Sequence, residues 1–363
     1  MAPLVLELQS RREFACRVGV TAQHREMLDG VLRCFGVTAD YDLDIMAPNQ
    51  TLTDITTRAL AGLGRVYAEE RPDLVLVHGD TSTTFAGALA AHYAQIPVGH
   101  VEAGLRTGDR YSPFPEEMNR RLTTQLAGYH FAPTARNAEN LRREGVTEGV
   151  FVTGNTVIDA MRHTVGDGHF ETPALRALDF EKNRVVVLTC HRRENYGSPM
   201  ENIFAAVRDI AAAVPDALFV YPVHPSPAVK DMAARLLGNL PRVRLIEPLD
   251  AMEMHRLMAR CHLVMTDSGG IQEEAPALGK PVLVLRRETE RPEAIEAGTA
   301  ALAGTERAVV RNLALTLLTD RAAYARMASA VNPYGDGHAC PRIADAILYG
   351  FGRLDTPPAA FRP

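Results

Sequence analysis

Short apolar runs alternate with helical patterns throughout this chain, and this alternation restricts the possible folds more than any other feature of the sequence. The runs are too short to be helices and are largely apolar, as strands buried on both faces usually are. They cover residues 74–77, 97–101, 129–132, 150–152, 185–189, 218–223, 243–246, 262–265 and 282–285. Strands and helices that alternate in this way predict an α/β fold, with parallel sheets covered by helices on both faces.

The length of the chain predicts two domains. A chain of 363 residues usually forms about two, and 46% hydrophobic residues are enough for two cores. An irregular polar segment at 167–183 separates two alternating series. We therefore predict an N-terminal Rossmann-like domain at residues 1–157 and a C-terminal one at residues 158–339, with the stretch 340–363 packing back on the first. Ligands bind outside the carboxyl ends of parallel strands, so two facing sheets predict one cleft between the domains.

Composition and charge exclude several classes of protein. The net charge of -5 disfavours a nucleic-acid partner. The five cysteines are scattered without a CxxC pair, which predicts neither a disulfide framework nor a metal site. No apolar run approaches the ~18 residues of a membrane span, and the first residues lack a basic lead and a cleavage site. We therefore expect a cytoplasmic protein with reduced thiols and no membrane partner.

A serine–glycine turn is the first candidate for ligand binding. Gly269 and Gly270 follow Ser268 where the apolar run gives way to a helical pattern at 271–278. A helix that begins there offers free backbone N–H groups, and glycine lets a ligand approach them closely. The helix dipole favours negative charge at this end, so the turn predicts a phosphate-binding site. The sequence alone leaves open the simpler interpretation that the turn only caps a helix.

Polar side chains that suit catalysis follow several other strands. They are the carboxylates of Asp80, Glu102 and, at a helix start, Glu116 in the first half, and His191 and Arg291 in the second half. This division suggests a diphosphate ligand held by the second half, with acid–base chemistry supplied by the first. Simpler interpretations also exist: a helix cap for Asp80, a surface acid for Glu116 and a surface ion pair for Arg291.

The longer motifs together closely resemble those of the non-hydrolysing UDP-N-acetylglucosamine 2-epimerases. The matching segments are 78–81, 99–107 (GHVEAGLRT), 115–120 (PEEMNR), 191–195 (HRREN), 221–225, 266–276, 289–293 and 332–337. The resemblance implies the two-domain GT-B fold, a UDP-sugar substrate, and neither a cofactor nor a metal. It also implies reversible epimerisation of UDP-GlcNAc to UDP-ManNAc at C2, for cell-surface polysaccharide. In that reaction UDP is eliminated to give a glycal and is then added back.

The resemblance assigns roles to individual residues. It implies catalytic roles for Asp80, Glu102, Glu116 and His191, with the carboxylates as acid–base groups and the histidine near the diphosphate. It assigns Ser268, Gly269 and Gly270 to the phosphates, Glu274 to the ribose, Arg291 to the nucleotide and Met254 to the uracil, where the family usually has an aromatic residue. The residues that match an activator site for a second UDP-GlcNAc are Gln23, Gln50, Arg192 or Arg193, and His224. Such enzymes are most often homodimers.

The start of the sequence departs from the family pattern. The chain opens on a helical pattern at residues 3–11, where the family has a preceding strand and a loop that supplies an arginine and a lysine. A strand and its loop need roughly 15 residues, so we expect the first strand of the N-terminal domain to be missing from this chain. One alternative function is therefore an inactive protein that still binds a UDP-sugar. Two others are a GT-B glycosyltransferase and a hydrolysing epimerase that releases UDP and free sugar.

Overall fold

The structure is a computed structural model that describes residues 1–22, 25–166 and 169–363. Its chain divides into two compact units. Unit 1 comprises Met1–Ala160 and Tyr334–Arg362, and unit 2 comprises Met161–Pro333 with the last residue, Pro363. The predicted boundary at 157/158 lies close to the first division, whereas the chain returns to unit 1 at Tyr334, before the predicted residue 340.

Helices and strands alternate in both units, which confirms the predicted α/β class. The strands are β1 (Gly19–Val20), β2 (Tyr41–Asp42), β3 (Val75–His78), β4 (Val98–Val101), β5 (Tyr129–Ala132), β6 (Val150–Val152), β7 (Arg184–Thr189), β8 (Ala217–Pro222), β9 (Val243–Ile246), β10 (Leu263–Thr266), β11 (Val282–Val284) and β12 (Ala300–Leu302). The helices are α1 (Ala2–Ser10), α2 (Arg25–Phe35), α3 (Leu52–Glu70), α4 (Ser82–Tyr93), α5 (Glu116–Leu126), α6 (Ala135–Arg143), α7 (Thr156–Thr164), α8 (Pro173–Arg176), α9 (Ser198–Ala213), α10 (Pro227–Leu237), α11 (Ala251–Arg260), α12 (Ile271–Ala277), α13 (Pro292–Glu296), α14 (Arg307–Thr319), α15 (Arg321–Ala328) and α16 (Ala339–Gly350), with a 3-10 turn at Arg193–Asn195. Among the described residues, no helix combines the length and the apolar character that crossing a bilayer requires.

Unit 1 contains a four-stranded parallel sheet in the order β3-β4-β5-β6 and a separate parallel pair, β1 and β2. In the larger sheet, His78 at the end of β3 lies opposite Val101 at the end of β4. Because the two strands are parallel neighbours, the residues that follow them leave the sheet at the same edge. Asp80 and Glu102 are therefore brought to one edge of unit 1.

Helices from the two ends of the chain pack together in unit 1. Leu4 and Leu8 of α1 form one apolar cluster with Ile343 and Ile347 of α16, and Val101 of β4 belongs to the same cluster. All five side chains are almost completely buried. The opening helix predicted from the sequence is therefore present as α1. It is buried by α16 and shares an apolar cluster with β4, the strand that precedes Glu102.

Unit 2 contains a six-stranded parallel sheet in the order β12-β11-β10-β7-β8-β9. The chain adds strands on one side from β7 and on the other side from β10, so the strand order reverses between these two. Ligands of open parallel sheets bind at such a reversal, outside the carboxyl ends of the strands. Thr189 and Thr266 pair there, with their hydroxyl oxygens 2.6 Å apart. The segments 190–195 and 267–270 follow directly, so the reversal marks the candidate site of unit 2.

Candidate active site

Asp80 follows the turn at the end of β3, and the cap of the next helix is a different residue. Thr81 caps α4, because its hydroxyl accepts a hydrogen bond from the backbone N–H of Thr84 at 3.2 Å. The Asp80 carboxylate lies 2.7 Å from Nη2 of Arg120. The side chain of Asn119 donates a 2.9 Å hydrogen bond to the Asp80 carbonyl oxygen. Helix α5 therefore fixes both the backbone and the side chain of Asp80.

The buried polar face of α5 extends this contact to a second loop. Arg120 is 7% exposed and Glu117 is fully buried. Their side chains approach to 3.6 Å between Nη1 and Oε2. Glu117 also accepts hydrogen bonds from the backbone N–H groups of Thr107 and Gly108, at 3.1 and 3.3 Å. The two α5 side chains thus join Asp80, at the end of β3, to the loop that follows β4.

Glu102 follows β4 with a left-handed backbone, at φ +65°. That conformation costs about 1–3 kcal/mol for a residue with a side chain, and such strain is concentrated at functional sites. The Glu102 carboxylate lies 3.7 Å from Nε2 of His78 and 3.4 Å from the side-chain nitrogen of Asn155. A Cβ at Gly79 would lie 3.1 Å from Glu102 Oε2, so the turn after β3 passes directly beside this carboxylate.

The two acids at the start of α5 have different environments. Glu117 is the fully buried residue that accepts the two backbone hydrogen bonds. Glu116 is the first residue of the helix and is half-buried. A carboxylate at this end of a helix is favoured by the helix dipole. Glu116 therefore keeps part of its side chain exposed to solvent, whereas Glu117 holds the loop.

Three histidines of unit 1 are uncharged at neutral pH. Burial lowers the pKa of His100 to about 4, although the 2.7 Å hydrogen bond from Nε2 to the Gly79 carbonyl opposes the shift. His130 lies opposite His100 on β5, and burial lowers its pKa to about 4 as well. The pKa of His78 is lowered by burial and then by the N-terminal ammonium and His100. The contact of His78 with Glu102 therefore joins a neutral ring to a carboxylate.

In unit 2, the buried carboxylate of Asp267 organises the reversal between β7 and β10. Its Oδ2 accepts hydrogen bonds from the backbone N–H groups of His191 and Arg192, both at 2.8 Å, and from the side chain of Asn195 at 3.0 Å. Its Oδ1 lies 3.3 Å from Nδ1 of His191. Asp267 thus ties the segment after β7 to the end of β10. Sequence reasoning gave this residue no role, although it stands directly before the serine–glycine turn.

The half-buried imidazole of His191 lies among charges of both signs. Burial lowers the pKa of His191 most strongly, Asp267 raises it, and Arg192 and His224 lower it. The ring of His224 lies nearly parallel to that of His191, with centroids 5.3 Å apart and 8° between the planes. Because an imidazole titrates near neutral pH, burial and these opposing charges together set the protonation state of His191.

The serine–glycine turn leads into α12 without a capping side chain, because the N-cap residue is Gly270. The backbone N–H of Ser268 donates a 2.9 Å hydrogen bond to the hydroxyl of Thr266. A Cβ at Gly269 would lie 2.6 Å from Nη1 of Arg291, so glycine lets this guanidinium approach the turn. The helix start and the guanidinium therefore lie side by side at this turn, and both favour an anion such as a phosphate. A simple helix cap would not require the guanidinium to approach the glycine.

Arg291 is anchored to α12 and is not a surface ion-pair residue. Its side chain is 16% exposed, and its Nε donates a 2.5 Å hydrogen bond to Glu273. Its backbone N–H bonds to the hydroxyl of Thr289 at 3.1 Å, and that hydroxyl donates to Gln272 at 2.7 Å. The loop that carries Arg291 is therefore fastened to the first turn of α12.

Glu274 on α12 contacts a histidine that sequence reasoning missed. Its carboxylate lies 3.4 Å from Nε2 of His255 on α11. The hydroxyl of Thr164 lies 2.7 Å from Nδ1 of the same ring. His255 directly follows Met254, the half-buried residue expected beside a uracil, and this adjacency was the available signal. Contacts on both ring nitrogens fix His255, which in turn positions Glu274.

The residues of the predicted activator site fall in different parts of the structure. Gln23 lies outside the described residues. Gln50 lies in unit 1, where its side-chain oxygen accepts a 3.1 Å backbone hydrogen bond. Arg192, Arg193 and His224 lie in unit 2. The activator role stays a prediction, as do the homodimer and the cytoplasmic location.

Comparisons with known proteins agree on one family. A family model described as UDP-N-acetylglucosamine 2-epimerase matches residues 6–348. The UDP-N-acetylglucosamine 2-epimerase of Bacillus subtilis (strain 168) is 53% identical over 362 residues, which are 99% of this chain and 94% of that protein. The crystal structure of Neisseria meningitidis UDP-GlcNAc 2-epimerase bound to UDP-GlcNAc has a TM-score of 0.88 and 47% identity, with 96% of each chain covered. The S. aureus MnaA–UDP structure has a TM-score of 0.90 and 47% identity, covering 100% of this chain and 96% of that one.

The fold and its strand-end residues define a two-unit α/β enzyme of the nucleotide-sugar class. The chain belongs to the UDP-N-acetylglucosamine 2-epimerase family, whose members are isomerases, as its motifs predicted. The chain covers 94% of the B. subtilis protein and 96% of the N. meningitidis chain. These comparisons therefore do not support the predicted loss of a first strand, and they do not favour the inactive binder that depended on it.

Proposed function

We propose that this chain interconverts UDP-GlcNAc and UDP-ManNAc by eliminating UDP from the sugar and adding it back. Family membership and the UDP-GlcNAc bound to the N. meningitidis relative support the substrate. The observation that carries the mechanism is the pair of carboxylates, Asp80 and Glu102, that follow adjacent parallel strands of unit 1. They are the acid–base groups that this chemistry requires.

Elimination provides a route because the C2 proton of the sugar is not acidic, since no carbonyl lies next to it. A base takes this proton while the C1–O bond breaks, and UDP leaves with the bonding electrons. The product is a glycal with a C1=C2 double bond. An acid then returns a proton to the opposite face of C2 as a UDP oxygen adds to C1. One proton leaves and one returns, so the reaction needs no oxidant and releases no free sugar.

The two carboxylates have different surroundings, as an acid and a base on opposite faces require. Asp80 faces the guanidinium of Arg120 at 2.7 Å. Glu102 faces the neutral imidazole of His78 and the amide of Asn155. Glu116, half-buried at the start of α5, supplies a third acid–base group.

Unit 2 provides the groups that hold UDP. The turn formed by Ser268, Gly269 and Gly270 binds the phosphates together with Arg291, whose guanidinium gives charge-assisted hydrogen bonds. His191 stabilises the charge that develops on the departing diphosphate. Two further contacts complete the proposal: Glu274 accepts hydrogen bonds from the ribose hydroxyls, and Met254 packs against the uracil.

Product analysis tests this function directly. We expect the protein, incubated with UDP-GlcNAc and followed by 1H and 31P NMR, to give a mixture of two UDP-linked sugars. Free sugar with UDP would identify a hydrolysing enzyme instead. Unchanged UDP-GlcNAc, with UDP binding shown by calorimetry, would identify an inactive binder and contradict the proposal.

Arg120→Met should lower both stability and turnover. The substitution leaves the carboxylates of Asp80 and Glu117 without this buried cation, so the free energy of unfolding should fall by about 3 kcal/mol. Turnover should fall because Asp80 loses the group that fixes its side chain. Denaturant unfolding and an epimerisation assay measure the two effects. Arg121→Met is the control, since Arg121 is 35% exposed and pairs with Glu144 at 3.4 Å; equal effects of both substitutions would contradict the role of Arg120.

A further inference from the structure

We propose that Asp267 is a positioning residue for the reaction, because it holds the proton on Nδ1 of His191 and thereby directs Nε2 to the diphosphate. The inference rests on the proposed function, in which His191 meets the departing diphosphate. It assigns the ring a fixed tautomer and identifies the group that favours its cationic form. Asp267 influences the reaction through His191 and does not itself contact the substrate in this proposal.

The backbone geometry shows how firmly Asp267 holds this segment. The carboxylate is fully buried at the end of β10, and one of its oxygens accepts three hydrogen bonds. Two donors are the backbone N–H groups of His191 and Arg192, and the third is the side chain of Asn195. Asn195 also donates to the Leu285 carbonyl at 3.0 Å, which ties in the end of β11. The backbone of His191 is therefore fixed relative to three neighbouring strands.

The second oxygen of Asp267 faces the imidazole. Oδ1 lies 3.3 Å from Nδ1 of His191 and forms no hydrogen bond of good geometry within the described part of the chain. The other side chain against this carboxylate is the Cys190 thiol, whose pKa is raised by burial and by Asp267, so it is a neutral and weak donor. A fully buried carboxylate oxygen without a donor is costly. A proton on Nδ1 supplies that donor, and a small rotation of the ring aligns it. Nδ1 is therefore the protonated nitrogen in the neutral ring, as in other carboxylate–histidine pairs.

This tautomer decides what His191 presents to a substrate. The neutral ring has a bare Nε2, so a second proton makes the ring a cation with Nε2–H as the donor to a phosphate oxygen. The charges that face the ring are Asp267 after β10, Arg192 on its own segment and His224 after β8. Burial disfavours the cation most strongly, Arg192 and His224 also disfavour it, and Asp267 is the one group among these that favours it. Asp267 therefore allows His191 to be cationic as negative charge develops on the leaving UDP.

Asp267→Asn separates this role from a purely structural one. The asparagine oxygen can still accept the hydrogen bonds of the two backbone N–H groups. Its NH2 group then replaces Oδ1 and faces Nδ1 as a donor. A donor at that position forces the opposite tautomer, with Nδ1 bare and the proton on Nε2. A role limited to fastening the loop would leave the tautomer unchanged.

Nitrogen NMR of the whole protein with 15N-labelled histidine tests the tautomer. His191→Asn identifies the His191 signals by their loss. We expect Nδ1 to stay protonated throughout a pH titration of the native protein, with titration at Nε2 alone, and we expect the neutral tautomer to reverse in Asp267→Asn. A neutral native ring with a bare Nδ1 would overturn the inference. This measurement needs no turnover, so it remains decisive if the proposed function fails.

Kinetics test the consequence for the reaction. We expect Asp267→Asn to lower kcat about 100-fold with little change in KM, because the substrate binds but the leaving group is less stabilised. Since the Asp267 charge raises the pKa of His191, the pH limb that reports protonated His191 should move to lower pH in the variant. Asp231→Asn, on the exposed surface of α10, should behave as the native enzyme. A raised KM with unchanged kcat would show that Asp267 only holds the substrate-binding loop in place, and it would overturn the inference.

Discussion

Glu102→Gln should lower the rate of epimerisation about 1000-fold, because an acid–base group typically contributes 10²- to 10⁴-fold to a rate. Glutamine has nearly the same size and shape as glutamate, so it fits between His78 and Asn155. It cannot take a proton from C2 or return one. Exchange of the C2 proton with solvent should be lost to the same extent as epimerisation.

The affinity for UDP should be unchanged in this variant, because the proposed UDP-binding groups all lie in unit 2. Isothermal calorimetry with UDP measures this. Glu139→Gln is the matched control in unit 1, since Glu139 pairs with Arg143 on the surface of α6. C2 exchange at the native rate in Glu102→Gln would remove Glu102 from the mechanism, and loss of UDP binding would show that the change is not confined to catalysis.

The free energy of unfolding should fall by roughly 6 kcal/mol between pH 6.5 and pH 4, owing to His100 and His130. Burial holds the pKa of each folded ring near 4, whereas the unfolded rings take up protons near 6.5. Between these values the unfolded state binds more protons, so acid favours unfolding. The stabilisation is complete above pH 6.5 and is lost as the pH approaches 4, with roughly 3 kcal/mol from each ring.

Denaturant unfolding at a series of pH values measures this dependence. His100→Gln removes one titrating group, and its amide N–H can still reach the Gly79 carbonyl, so this variant should show about half of the effect of the pair. His92→Gln is the control, because His92 is exposed on α4. A native protein whose stability does not change over this range would show that the two rings are not held neutral by burial.

The sheet elements and the residues at their ends were predictable from the sequence. β3, β4, β7 and β10 are buried parallel strands, so their apolar runs stand out without any long-range information. A polar residue that directly follows such a run must leave the sheet at its carboxyl end. This local reasoning is sufficient to select Asp80, Glu102, His191 and the serine–glycine turn.

The shortest elements could not be predicted in the same way. β2 has only 2 residues, which is too short for any periodic pattern to be visible. Helix α8 lies inside the segment 167–183, which was interpreted as an irregular connector. Helix α6 was also not predicted, although the sequence does contain a signal for it, because Thr134 and Asn137 form a capping box.

The partners of the site residues were beyond sequence reasoning. Arg120 reaches Asp80 because α5 packs against α4, the helix that follows Asp80 in the chain. Asp267 meets His191 because the strand order reverses between β7 and β10. These contacts join residues that are far apart in the chain, and no local pattern records them. The folded structure therefore adds the groups that set charge and orientation around the residues that the motifs identify.

The fate of the C2 hydrogen tests the central claim most directly. UDP-GlcNAc is incubated with the native enzyme in D2O, and both UDP-sugars are analysed by 1H NMR and mass spectrometry. If unit 1 removes and returns a proton at C2, the epimerised sugar should carry deuterium at that carbon. An epimerised product that keeps its original C2 hydrogen would contradict the elimination mechanism and the acid–base roles of Asp80 and Glu102.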